Sequence, residues 1–192
     1  MIELFIVVGL GNPGREYQDT RHNVGFKTVD EIGERLKISI SKSKHKAIIG
    51  EGTLGTKRIV LVKPQTYMNL SGESVREVTD WYKASLDNVI VVYDDIDLPL
   101  GRIRIRADGT PGTHNGMRSV VGTLNSINFP RVRMGIGRPT EPMDLADYVL
   151  SRFKDEEKAE IDKEIKTAAD AVMDIIELGM QLAMGKYNGI NG

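Results

Sequence analysis

Cysteine is absent from this 192-residue chain. That excludes disulfides, thiolate metal sites and a cysteine nucleophile, and it fits a reducing, cytoplasmic compartment. No apolar run is long enough to span a membrane. The opening run, Ile2 to Val8, contains Glu3, follows no basic segment and leads straight into a glycine loop, unlike a secretory leader. Repeats and low-complexity segments are also missing. The three histidines, His22, His45 and His114, form no H-x-x-x-H pair, and there is no G-x-S-x-G elbow. Neither a helical zinc motif nor a serine nucleophile therefore has local support. A catalytic metal would need an assembled set such as His22, Asp94 and His114, which the spacing does not require, so no metal is expected. Net charge is nearly absent too, at −1, which argues against a uniformly basic nucleic-acid binder.

What charge there is lies segregated. Leu98 to Arg138 carries seven arginines, no lysine and one acid, Asp108. Ser41 to Lys63 carries five lysines and Arg58 against one acid, Glu51. Such clustering can make a basic face on a near-neutral protein. Length and a 40% hydrophobic content suit a single globular domain over residues 1–192.

The pattern along the chain is α/β, with a twisted mixed β-sheet flanked by helices. Ile2 to Val8 reads as a buried strand. The loop 9–25 follows, long for a strand-to-helix connection and rich in candidate site residues: Asn12, Tyr17, Arg21, His22 and Asn23. A helix is expected over Val24 to Leu36 with Asn23 as a candidate N-cap. Two strand-like runs, Ala47 to Thr53 and Arg58 to Val62, flank a turn at Leu54-Gly-Thr56. A helix from Ser71 to Lys83 should bury Val75, Val78, Trp81 and Tyr82, with Asn69 placed as a possible cap. Val89 to Tyr93 is a continuous apolar strand ending in Asp94-Asp95, and acids at such strand ends suit a site. Gly101 to Arg106 alternates, so that Ile103 and Ile105 face the core while Arg102, Arg104 and Arg106 share the other face, a placement suited to phosphate contacts. A short helix is expected from Arg118 to Leu124, then a strand from Arg131 to Ile136 with Arg131 and Arg133 on one face. One long C-terminal helix is expected from Asp155 to about Met184, ending at Gly185, with Ile161, Ile165, Ala168, Val172, Ile175 and Ile176 as its buried stripe. His45, in a lysine-rich stretch, is expected in solvent.

Gly9-Leu-Gly-Asn-Pro-Gly14 matches G-x-G-x-x-G, but no helix opens there and Pro13 lacks an N–H for a phosphate, which disfavours a dinucleotide site. The remaining chemistry is a histidine, an acid at a strand end, and three asparagines beside glycine turns. Histidine can deprotonate water near neutral pH, a carboxylate can orient it, and amides can donate to an oxyanion. Asparagine beside glycine is also ordinary turn chemistry, so the residues alone go no further than compatibility with a hydrolase, with a phosphate-rich substrate one option.

Five stretches together resemble the bacterial-type peptidyl-tRNA hydrolase family: GLGNPGREYQDTRHNVG at 9–25, KPQTYMNLSG at 63–72, VVYDDIDLPLG at 91–101, THNGMRS at 113–119 and RVRMGIGRP at 131–139. They occur in the family's order and spacing over nearly the whole chain. The resemblance implies hydrolysis of the ester between the peptide and the terminal ribose of peptidyl-tRNA, which returns tRNA to translation, without cofactor or metal. It implies His22 as general base, Asp94 as its orienting partner, and Asn12, Asn69 and Asn115 as side chains that hold the peptide and the attacking water. Tyr17 and Met68 would line the cleft, Arg106 and Arg133 would clamp the tRNA 5′ phosphate, and 107–113 would be a lid. The family's lid is richer in glycine, whereas Pro111 and Thr113 stand here. A cytoplasmic monomer with no membrane partner is expected. The competing class is a non-catalytic RNA-binding module on the same fold, which would tend to lose His22, Asp94 or an asparagine.

Overall fold

The computed structural model describes residues 2–189; Met1 and 190–192, the ends of the expected domain, lie outside the described residues. Seven strands form one sheet: β1 (Leu4–Gly9), β2 (Lys42–Lys44), β3 (Ala47–Leu54), β4 (Lys57–Pro64), β5 (Val89–Asp95), β6 (Ile103–Arg106) and β7 (Arg131–Gly135), in the order β2-β3-β4-β1-β5-β7-β6. The central strands β4, β1, β5 and β7 are parallel to their neighbours in that run. The flanking pairs β2/β3, β3/β4 and β6/β7 are antiparallel, so the sheet is mixed as expected.

Period-two alternation divides the core into two layers. On β1, Phe5 and Val7 face one layer and Ile6 and Val8 the other. The first layer is closed by α1 (Val24–Leu36), α4 (Leu145–Val149), α5 (Lys158–Leu178) and α6 (Met180–Asn188). The second is closed by α2 (Ser71–Tyr82) and α3 (Asn115–Leu124). Both faces of the central strands are covered, which is why they read as unbroken apolar runs.

Several expectations are corrected. The C-terminal helix carries the expected buried stripe but breaks at Gly179, whose φ of 91° and ψ of 163° lie outside the helical region. Gly185 therefore sits inside a second helix rather than ending the first. The break turns α6 back onto the sheet edge, where the Asn188 amide donates to the Ile105 carbonyl and accepts from the Ile105 N–H, both at 2.8 Å. This occupies backbone groups that an edge strand would otherwise expose. Trp81 is 66% exposed because it lies off the arc through Val75, Val78 and Tyr82; its ring packs on His45 at 5.3 Å. His45 is accordingly half-buried rather than solvated. Helix α3 begins at Asn115, earlier than expected, since His114 caps it: Nδ1 accepts from the Met117 N–H at 3.1 Å. The two basic segments lie mainly toward opposite edges of the sheet, β2–β4 and β6–β7, so they do not merge into one face. Lys46, Lys57 and Lys63 are each paired with an acid.

One buried acid belongs to the packing. Glu164 on α5 is 1% exposed; its Oε1 accepts from the Gly101 N–H, and Oε2 has no partner among the described residues. Burial, partly opposed by the Gly101 N–H and aided by Glu160, pushes its carboxyl up to about 9. The unfolded chain releases this proton near pH 4.5 and the native state holds it, so the site costs no stability below pH 4.5. Stability is lost as pH rises from there toward about 9. Glu164→Gln keeps an oxygen for Gly101 and removes the ionisation. Thermal melts should show the variant more stable than wild type at pH 8, by on the order of 5 °C, with the difference vanishing near pH 4.

Candidate active site

The site forms where the carboxyl ends of β1 and β5 lie side by side. Pairing continues one step past β1, with the Leu10 N–H donating to the Val92 carbonyl at 3.0 Å. The chain then loops out through 11–20 and returns as a single 3-10 turn, Arg21–Asn23, directly before α1. That return requires contact too close for a side chain. A Cβ on Gly25 would stand 2.4 Å from the Val92 carbonyl oxygen, and one on Gly9 would stand 2.1 Å from the Gly25 oxygen. The glycines of the opening motif thus let α1 sit on the strand ends, rather than cradling a phosphate.

This packing carries His22 onto Asp94, the penultimate residue of β5. Nδ1 of His22 lies 2.9 and 2.8 Å from the two carboxylate oxygens. A second imidazole meets the same group: Nε2 of His114 lies 2.8 Å from Asp94 Oδ1. The α3 cap fixes the tautomer of His114. Its Nδ1 accepts a backbone N–H, so its Nε2 carries the proton that Asp94 accepts. Asp94 is 2% exposed. Burial alone would raise its pKa, but the two imidazoles outweigh burial and hold the carboxyl far below its usual range. At His22, burial disfavours the cation, while the charge and hydrogen bond of Asp94 favour it; the net effect is a raised pKa. With Nδ1–H directed at Asp94, Nε2 of His22 is left with a lone pair and no hydrogen bond among the described residues.

His22, Asp94 and His114 also place potential ligand atoms within 4.8 Å of one another, the set that a metal would need. The tautomer argues against an ion there. The His114 nitrogen facing Asp94 bears a proton, so it has no lone pair for a metal unless the helix cap is given up.

Asn23 does not cap α1. Its side chain pairs reciprocally with the Asn12 backbone, accepting from the Asn12 N–H and donating to the Asn12 carbonyl, both at 2.9 Å. Asn12 is buried, and its Oδ1 accepts from the Met68 N–H at 2.7 Å, which leaves its NH₂ as an unused donor among the described residues. Met68 is buried, and Tyr17 lies edge-on to Tyr67 at 6.3 Å. Asn69 is exposed in the 3-10 turn before α2 and makes no cap, because Leu70 occupies that position.

A cavity of about 570 Å³ adjoins His22 and Asp94. Its walls include His22, Asp94, Asn115, Arg106 and Arg133. Arg106 is exposed, while Nε of Arg133 donates to Asp95 at 2.5 Å. The site thus brings His22, Asp94, Asn115, Arg106 and Arg133 to one cavity. Asn12, Tyr17, Met68 and Asn69 lie outside its lining, with Asn12 linked to the His22 turn through Asn23. Two residues of the site have roles that sequence reasoning does not give. His114 is one: the sequence offers it only as a member of a possible metal set with His22 and Asp94, not as a cap of α3 that donates to Asp94. Arg131 is the other. It is 1% exposed, lies over the Phe129 ring at 4.3 Å, and donates to the carbonyls of Gly109 and Ile127 at 2.7 Å, which ties down the base of loop 107–113.

The sequence profile described as peptidyl-tRNA hydrolase matches residues 6–192. The chain belongs to the peptidyl-tRNA hydrolase family. It is 52% identical to a peptidyl-tRNA hydrolase of Thermoanaerobacter sp. (strain X514) and 53% identical to one of Caldanaerobacter subterraneus subsp. tengcongensis, over 97% of this chain and 100% of each relative. A crystal structure of peptidyl-tRNA hydrolase from Acinetobacter baumannii superposes with a TM-score of 0.91 at 33% identity, covering 98% of this chain and 96% of that one. No described helix of this peptidyl-tRNA hydrolase family member is long and apolar enough to cross a membrane.

The electrostatics of the His22–Asp94 contact can be read directly. An NMR titration of the His22 ring should give a pKa above the ordinary 6.5 in the wild type. In Asp94→Asn the charge is removed and burial alone remains, so the value should drop below 6.5. An unchanged titration would contradict the described contact.

Proposed function

We infer that this protein hydrolyses the ester between the peptide and the terminal ribose of peptidyl-tRNA, with His22 as the general base for water. Family membership supports the reaction. The observation that supports the mechanism is the His22 ring, which donates through Nδ1 to a buried carboxylate, has no hydrogen bond at Nε2 among the described residues, and belongs to a residue that lines a polar cavity. Water loses its proton to Nε2 and attacks the ester carbonyl carbon. The oxyanion is met by amide donors, Asn115 at the start of α3 and the free NH₂ of Asn12, near the positive end of the helix dipole. Collapse of the intermediate breaks the bond to the ribose oxygen, which takes the proton back from His22. Asp94 orients the ring and stabilises its cation, and does not itself accept the proton. No step uses a metal or a cofactor.

Asn12 and Asn69 hold the peptide's second backbone amide, with Tyr17 and Met68 beside it. Because the Asn12 oxygen is engaged by Met68, Asn12 contributes only as a donor. Arg106 and Arg133 take the 5′ phosphate at the acceptor end; the Asp95 contact holds Nε of Arg133 and leaves its terminal nitrogens for the phosphate. We read residues 1–192 as one domain, acting as a cytoplasmic monomer.

The test is hydrolysis of an N-acetyl-aminoacyl-tRNA with EDTA present throughout. Wild type should turn over, and His22→Ala should be slower by at least ~10²-fold. Loss of wild-type activity in EDTA would restore the metal reading, and tRNA binding without hydrolysis would favour the RNA-binding module. Arg133→Ala should raise KM far more than it lowers kcat and should flatten the salt dependence by about one phosphate contact. An unchanged salt slope would remove Arg133 from the clamp.

A further inference from the structure

The residue before His22 is a buried arginine that takes no part in the mechanism above. Arg21 is 3% exposed, and its side chain turns away from the His22 cavity into a separate depression formed with the segment that leads into α5. There its contacts are unusually complete. Nη1 and Nη2 donate to Glu157 Oε2 and Oε1 at 3.0 and 2.9 Å, and Nε donates to Ser151 Oγ at 3.0 Å. The guanidinium lies 4.5 Å from the Tyr148 ring centre and 4.9 Å from that of Phe153. The backbone joins in, with the Arg21 N–H donating to the Ser151 carbonyl at 2.9 Å and a bridge between Thr20 and Arg152.

The far side of the pair is itself anchored. Glu157 Oε1 also accepts from the Lys154 N–H at 2.8 Å, and Tyr148 donates its hydroxyl to the Ile136 carbonyl at 2.7 Å, directly beyond β7. The three-residue turn Arg21–Asn23 is therefore held from three directions by three consecutive side chains. Asn23 ties it to Asn12, His22 ties it to Asp94 on β5, and Arg21 ties it to the entry of α5. A single 3-10 turn has almost no internal hydrogen bonding of its own. Its position depends on such ties.

We propose that the Arg21–Glu157 ion pair is a positioning element for His22, fixing the turn so that the ring keeps its Nδ1 contact with Asp94 beside the cavity. Arg21 touches no reacting atom and acts through the backbone it shares with His22. A planar guanidinium is suited to the task because it bonds a carboxylate at two points while stacking on rings, which lysine cannot do. The cost of misplacing a catalytic group by about 1 Å can reach ~10²-fold in rate.

The inference rests on His22 being the base, and the experiment separates the two. Arg21→Lys, Arg21→Met and Glu157→Gln are compared with wild type and His22→Ala on N-acetyl-aminoacyl-tRNA, alongside circular dichroism and an NMR titration of the His22 ring. Arg21→Met should lower kcat between about 10- and 100-fold with KM within about twofold. The His22 titration should move downward as its contact with Asp94 loosens. Arg21→Lys should recover little, and Glu157→Gln, which keeps the shape of the carboxylate and part of the hydrogen bonding, should fall between. Should Arg21→Met fail to fold, Glu157→Gln and Arg21→Lys carry the same readouts. Folded variants with a lowered melting temperature but wild-type kcat and His22 titration would show the pair to be structural only and overturn the proposal. If His22→Ala itself kept full activity, the base assignment would fall instead.

Discussion

A buried carboxylate that accepts from two imidazoles is the constraint on which the site depends. Asp94 is nearly inaccessible, and an unpaired charge there would be strongly disfavoured. His22 and His114 approach it from different parts of the chain, one from the loop after β1 and one from the cap of α3. Satisfying Asp94 therefore assembles the site. It fixes the ring of His22, sets which nitrogen of His22 is basic, and draws the start of α3, with Asn115, to the edge of the same cavity. The raised pKa of His22 is the electrostatic consequence of that convergence.

Everything around Asp94 serves to keep the approach short. Gly9 and Gly25 let α1 rest on the strand ends without a side chain between them. The reciprocal pair between Asn23 and the Asn12 backbone joins the two ends of the long loop. Arg21 secures the same turn to the far end of the chain. On the cavity side, Arg131 pins Gly109 and so limits loop 107–113 at its base, adding to the restriction from Pro111 and Thr113.

Elements with strong periodicity were legible in the chain: β1, β5, α1 and the buried stripe of α5 all follow from the placement of apolar residues. His22, Asp94 and Asn115 were legible as candidates only, since acids at strand ends and asparagines beside glycine also make ordinary turns; it was the resemblance carried by the ordered motifs that suggested a role for each, and the structure brings the three to one cavity. What stayed hidden depends on contacts between distant segments. Asn23 looks like a cap, but Asn12 offers it two bonds where the helix offers one. His114 looks like one member of a possible metal set until α3 is seen to begin at Asn115, its cap fixing the proton that Asp94 accepts. Arg131 alternates with Val132 like any strand arginine, and only the carbonyls of Gly109 and Ile127 explain its burial. Trp81 falls just off the buried arc of α2, and a hydrophobic count treats it as core. The break at Gly179 is a backbone conformation that composition does not declare in a helix rich in good formers.

The central claim is that neutral His22, poised by Asp94, is the base that activates water. The most direct test is the pH dependence of kcat/KM for N-acetyl-aminoacyl-tRNA, set beside the ring titration of His22 in the same free enzyme. The account predicts a rate that rises with pH through a single pKa above 6.5 and then levels, with that pKa equal to the one titrated at His22. A rate that rises through a pKa clearly different from that of His22, or that does not depend on pH across the His22 titration, would contradict it.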